Sequence, residues 1–179
     1  MNCAFCPHHK CYTSGQNCTR LTHEEISEYY TDEDKKMMRA SSATESRNYL
    51  KMTRLEESVF FAKEMGVKKV GIAFCIGLAN EAHFCAQYFK KEGLDVQSVC
   101  CKVCSVDKYL KKKKKIKPGQ REAMCNPKVQ ARLLNEGGTE LNFIVGLCVG
   151  HDMLFTMESK VPVSSIITKD RVSANNPAG

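Results

Sequence analysis

Four short apolar runs punctuate the second half of the chain, at positions 67–74, 94–99, 141–147 and 161–168, each the length of a buried strand. Between them the apolar positions shift to helical spacing near 78–91, 127–136 and 151–159. A further helix is predicted over 54–65. Thr53-Arg54-Leu55-Glu56 has capping-box spacing, Leu55, Val59 and Ala62 make an apolar face, and Gly66 stands where the helix should stop. The order after this helix reads β-α-β-α-β-α-β. Such alternation predicts an α/β fold: a small three-layer domain with a four-stranded, mostly parallel sheet, helices on both faces and right-handed crossovers.

The first part of the chain follows another pattern. Residues 22–46 are charged and helix-prone, with one short helix starting at His23-Glu24-Glu25-Ile26 and another over 32–40. Residues 1–20 show neither period and are polar and rich in cysteine, as expected of a module folded around an ion. The expected division is therefore an N-terminal metal-binding module with connecting helices over 1–46 and an α/β domain over 47–179. A chain of 179 residues with 42% hydrophobic content can build one such domain and a small appendage.

Composition narrows the setting. No apolar stretch approaches the roughly 20 residues that span a bilayer, and Met-Asn-Cys-Ala-Phe-Cys is not a basic segment followed by an apolar run. A cytoplasmic protein, neither membrane-embedded nor secreted, is expected. The 11 cysteines are odd in number and include the neighbours Cys100 and Cys101, which fits thiols kept for metal or redox work better than a disulfide framework. The net charge of +7 owes much to the lysine run over 111–115 with Lys117.

Cys3, Cys6, Cys11 and Cys18 offer four soft ligands within sixteen residues, the first pair at the two-residue spacing that turns both sulfurs toward one ion. Four thiolates suit zinc or a 4Fe-4S cluster equally, and Pro7 directly after Cys6 resembles the Cys-Pro step of ferredoxins. Four cysteines fill a closed site, so His8 and His9 are left out of it.

A second set belongs to the α/β domain, where ligands bind beyond the carboxyl ends of the strands, at the point where strand order reverses. Cys75, the pair Cys100 and Cys101, and Cys148 each end a predicted strand. Cys125 precedes Asn126-Pro127, a natural N-cap followed by proline at the first helical position, so it sits at a helix N-terminus that favours a thiolate. His151 adds a ligand or acid-base group, and Gly77, Gly146 and Gly150 permit close backbone approach. A lone cysteine in a strand is usually a small hydrophobe. Cys85 is read that way, with Leu78, Ala82 and Phe89 on a sheet-covering helix face, and Cys104 lacks a strand position. The turn Cys75-Ile76-Gly77-Leu78 has too few glycines for a pyrophosphate loop, and the lysine run lacks interleaved aromatics, so a solvated mobile loop is expected there rather than a nucleic-acid site.

The segments Gly71 to Leu78, Val99-Cys100-Cys101-Lys102-Val103, Pro118-Gly119-Gln120, Met124-Cys125-Asn126-Pro127, Leu134-Asn135-Glu136, Val145 to Asp152 and Thr168-Lys169-Asp170-Arg171-Val172 resemble an uncharacterised cysteine-rich family. Its members are described as predicted metal-binding proteins, mainly of anaerobic bacteria and archaea. The resemblance runs from the N-terminal cysteines to Asn176-Pro177 and implies metal binding through Cys3, Cys6, Cys11 and Cys18. Two departures stand out: the lysine-rich loop, and Cys104 where glycine would be typical.

Two functional readings follow. In the first, the N-terminal site holds zinc or a 4Fe-4S cluster and the strand-end set, Cys75, Cys100, Cys101, Cys125, Cys148 and His151, forms a second redox or metal site. That second site would hold another cluster or a metal ion and serve a small-molecule substrate or redox partner. In the second, the protein is a non-catalytic small-molecule or protein-binding module with only a structural zinc. The residues leave open whether it is an enzyme.

Overall fold

The structure, a computed structural model, describes residues 1–111 and 114–178. Two compact units divide it, Met1–Arg39 and Ala40–Gly179.

The second unit begins inside a long helix, α3 (Asp32–Asn48), continued well past its expected end near residue 40. Helix α4 (Arg54–Glu64) starts in the capping box read from the sequence: the Thr53 side chain accepts from the Glu56 N–H while the Glu56 carboxylate accepts from the Thr53 N–H. Gly66 follows it with φ +74°. The remaining elements are β1 (Lys69–Phe74), α5 (Ala79–Lys91), β2 (Asp95–Cys100), α6 (Pro127–Glu136), β3 (Leu141–Val145), α7 (His151–Glu158) and β4 (Val163–Ile167). All strand pairs are parallel and the sheet order is β2-β1-β3-β4.

Alternation along the strands sorts the core into two layers. Val70 and Ile72 of β1 and Leu141, Phe143 and Val145 of β3 pack with Val59 and Ala62 of α4 and with Ala82, Cys85 and Phe89 of α5. Ala73, Val99 and Ile144 turn to the other face, against Ala131 and Leu134 of α6 and Phe155 of α7. Cys85 is thus a core residue. The fold is three-layered α/β around a parallel sheet.

Topology also fixes where a ligand crevice opens. β1 leads to α5 on one face, whereas its neighbour β3 leads to α7 on the other. The loops after these adjacent strands part, leaving a cleft at their carboxyl ends.

In the first unit, a 3-10 turn (Cys3–Phe5), α1 (Lys10–Thr13) and α2 (His23–Glu28) precede the start of α3. A second capping box, Thr22 with Glu25, starts α2. Among the described residues, none of Met1–Arg39 is buried. This segment has no hydrophobic core of its own. No helix among the described residues is long and apolar enough to cross a membrane.

Candidate functional site

The cleft holds about 680 Å³. Cys75, the residue after β1, and Cys148, in the loop after β3, line it from the two parted loops. Cys125, just before α6, and His151, the first residue of α7, line it from the helical side. Cys101 follows β2 and is buried behind them, beside both Cys75 and Cys125, and its sulfur accepts from the Ile76 N–H at 3.4 Å. Three of the predicted thiols therefore form a continuous row, Cys75–Cys101–Cys125, drawn from the ends of β1 and β2 and the start of α6.

Protons are unequally shared along this row. A hydrogen bond from Cys101 is the main cause that brings the Cys75 pKa down to about 5; partial burial opposes it, and the Gly77 N–H and the Lys169 ammonium assist. Cys125 also falls to about 5, with the Cys101 hydrogen bond first, then the Lys102 ammonium and the nearby His151 ring, against the cost of burial. Cys101 is pushed strongly up, because its side-chain interactions with Cys125 and then Cys75 favour its protonated form and because it is buried. The outer thiols are thus biased toward the thiolate and Cys101 toward the thiol.

Cations complete the arrangement. The Lys102 Nζ donates to the Cys125 Sγ at 3.4 Å and to the Ala123 carbonyl at 2.6 Å. The Arg171 Nη2 lies 3.0 Å from the Cys148 Sγ. Lys169 faces Cys75 across Gly77, where an added Cβ would come within 3.4 Å of its Nζ. Lys169 and Arg171 enter from just beyond β4, so each of Cys75, Cys125 and Cys148 has a cation beside it. These three bases were not singled out as site residues by sequence reasoning, although Lys102 directly follows Cys101 and both others directly follow the fourth apolar run.

The scaffold beneath the row was also hidden in the sequence. Gln130 of α6 is fully buried, and its Nε2 donates to the Val99 carbonyl at 2.7 Å and the Phe74 carbonyl at 3.3 Å, pinning the ends of β2 and β1 to the helix that carries Cys125. Asn126 occupies the N-cap of α6 as expected but makes no side-chain cap; its amide instead donates to the Val103 carbonyl at 2.7 Å and ties the β2 exit loop to the helix start. Gly146 has φ +63°, and a Cβ there would lie 1.9 Å from the Leu78 Cδ1. Only glycine fits between the two parting loops.

Other predicted residues lie outside the row. Cys100 ends β2 half-buried and is not among the cleft-lining residues; its sulfur accepts from the Lys102 N–H at 3.5 Å. Cys104 is exposed with φ +72°, a left-handed backbone suited to the glycine that the family resemblance leads one to expect there. Cys3, Cys11 and Cys18 are exposed and Cys6 half-exposed, with Cys3 in the 3-10 turn and Cys11 in α1. The backbone N–H groups of His8 and His9 lower the Cys6 pKa. Among the described residues, no group of three or more His, Cys, Asp or Glu is gathered as a ready-made metal cage.

The lysine-rich loop departs from the solvated, mobile segment expected. Of the run over 111–115, Lys112 and Lys113 lie outside the described residues. Lys115 is held by the Asp107 carboxylate at 2.9 Å and the Gln120 carbonyl at 2.8 Å, 5.9 Å from the Tyr109 ring centre. The Lys115 ammonium and the Tyr109 N–H bring Asp107 down to about 2. Asp107 also bridges to Ala123, so the described parts of this segment, 103–111 and 114–125, form a flap, and several of their residues line the cleft.

Residues 13–166 match a family described as "Protein of unknown function (DUF1847)". The chain belongs to DUF1847. The matched span takes in β1 to β3, β4 up to Ile166 and every strand-end thiol, and begins after Cys3, Cys6 and Cys11. An archaeal relative, the uncharacterized protein MJ0455 of Methanocaldococcus jannaschii, is 51% identical over 180 residues, covering 100% of this chain and 92% of the relative.

Proposed function

We propose that this DUF1847 protein is a metal-binding protein whose working centre is the thiolate row Cys75–Cys101–Cys125, with Cys3, Cys6, Cys11 and Cys18 forming a separate metal module. The observation that carries the reading is that three thiols from three distant parts of the chain lie together beside a cleft that Cys75 and Cys125 line, the outer two biased toward the thiolate. Packing alone does not require this convergence.

The donor set fits a soft ion or an iron–sulfur cluster. It is purely thiol at its heart, and Lys102 and Lys169 offset the negative charge that such a centre accumulates. Cys101 is the thiol that most resists giving up its proton on binding, since Cys75 and Cys125 are already biased toward the thiolate. Since no three ligands are gathered as a cage among the described residues, binding would have to draw these thiols together, as when a metal organises its own site. Such a centre supplies electron transfer or Lewis-acid polarisation of a bound small molecule. Cys148, paired with Arg171, and His151 are the nearest further groups.

Metal and acid-labile sulfide analysis of anaerobically purified protein tests the reading. The expected result is metal in excess of the N-terminal site, of which the excess alone disappears in the Cys75→Ser/Cys101→Ser/Cys125→Ser variant. A single zinc per chain that survives this triple substitution would overturn it in favour of a binding module with structural zinc. Metal-free protein in which Cys101 forms a disulfide with Cys75 or Cys125 under mild oxidation, and which takes up no metal once reduced, would replace it with a dithiol redox site.

A further inference from the structure

The cations around the cleft outnumber what the thiols need. Lys102, Lys169 and Arg171 stand beside Cys125, Cys75 and Cys148 in turn. The flap adds Lys108, Lys114, Lys117 and Arg121, while among the described residues the one lining carboxylate is Glu122, which pairs with Lys108. Counting Glu122 and all three lining thiols as anions still leaves the cations ahead by three. Gathering like charges in one concavity is unfavourable in the absence of an anion to relieve it, and such a cleft concentrates anionic ligands from solution.

Size and lining narrow the class. At about 680 Å³ the cleft is in the range of small-molecule pockets, about 300–1,000 Å³. A simple inorganic anion would leave most of it empty. Ile76, Ile116 and Met124 give it an apolar flank beside the cationic one. We infer that the cleft binds a small organic molecule bearing two or more negative charges on carboxylate or phosphate groups, gripped by Lys169 and Arg171 so that it abuts the thiolate row. Placing its reacting end there rests on the thiolate-centre reading; the charge selection does not. Lys169 and Arg171 are positioning residues in this scheme, and the flap lysines select for charge at the mouth.

Isothermal titration calorimetry at low ionic strength tests the inference, with succinate and glycerol 3-phosphate as probes and succinamide and glycerol as their neutral counterparts. It is run on both metal-free and metal-loaded protein. The dianions bind and the neutral molecules do not; Lys169→Met and Arg171→Met each weaken dianion binding at least tenfold, Lys169→Arg restores most of it, and Lys91→Met, on the exposed end of α5, leaves it unchanged. A preference for phosphate or for carboxylate identifies the anionic group. Equal binding of the neutral counterparts, dianion affinity untouched by both substitutions, or tight binding of a single-stranded oligonucleotide that displaces succinate overturns the inference. Metal analysis of the same samples separates the two proposals: dianion binding without strand-end metal sinks only the thiolate-centre reading, and metal without dianion binding sinks only this one.

Discussion

At the scale of single residues, the site depends on how one proton is held. Cys101 has a single S–H to offer its two neighbours, and its own pKa is pushed up while theirs are brought down. The consequence is measurable on metal-free protein. Cys125 is the more accessible of the two thiolates, half-buried where Cys75 is buried. Its alkylation by iodoacetamide should rise through a midpoint near pH 5, the value to which its surroundings bring it, whereas the same thiol in guanidinium-unfolded protein should titrate near about 8.5. The sign for stability follows from the same difference. A depressed thiol pKa contributes stability that is fully present above the unfolded value and is lost as pH falls through the folded one, between about 8.5 and 5. Lys102→Met removes the ammonium 3.4 Å from the sulfur and should move the alkylation midpoint up by about one pH unit. A midpoint unchanged by Lys102→Met would show that the Cys101 hydrogen bond acts alone.

At the scale of elements, much was legible because each strand and helix carries its own local signal. The four apolar runs, the Thr53 capping box and Pro127 at the first turn of α6 mark elements observed within about two residues of their expected bounds. Once the order β-α-β-α-β is known, the topology brings Cys75, Cys101, Cys125 and Cys148 to one end of the sheet. What could not be read is what depends on partners distant in sequence. Lys169 meets Cys75, Arg171 meets Cys148, and the Asn126 amide abandons its cap for the Val103 carbonyl, none of which leaves a periodic trace. Gln130 is the clearest case: a polar residue on the inward face of α6 that looks like a fault until the Val99 and Phe74 carbonyls are placed opposite it. Gln130→Leu leaves those strand ends without their side-chain donor and should cost about 1–3 kcal/mol in urea unfolding. It should also loosen the row, shown by faster alkylation of Cys101. Phe143→Leu, in the other core layer where Phe143 stacks on Phe89 at 5.1 Å, should cost a similar 1–2 kcal/mol, roughly. The Cys101 alkylation rate in the folded state should stay as it was. If both substitutions change Cys101 alike, Gln130 has no special hold on the site.

At the scale of the whole molecule, the two units differ in how they can be held together. The α/β unit buries two layers of apolar side chains against a four-stranded sheet and needs no ligand to fold. Among the described residues, the unit Met1–Arg39 buries none, so its order has to come from local hydrogen bonds, such as the Thr22 capping box, and, on the proposed reading, from metal held by its four cysteines. Removing metal should therefore act on the two units separately. After chelation, trypsin should cut at Lys10 and Arg20 markedly faster, while the α/β unit keeps the resistance and the unfolding midpoint of the loaded protein to within about 1 kcal/mol. Cys3→Ser/Cys11→Ser should reproduce the N-terminal cleavage without chelator and leave the metal bound at the strand ends in place. Mass spectrometry of the fragments, read beside metal content, checks both halves. Equal cleavage at Lys10 and Arg20 before and after chelation would mean that metal is not what orders the first unit, and the four-cysteine module would lose its assigned role while the strand-end centre kept its own.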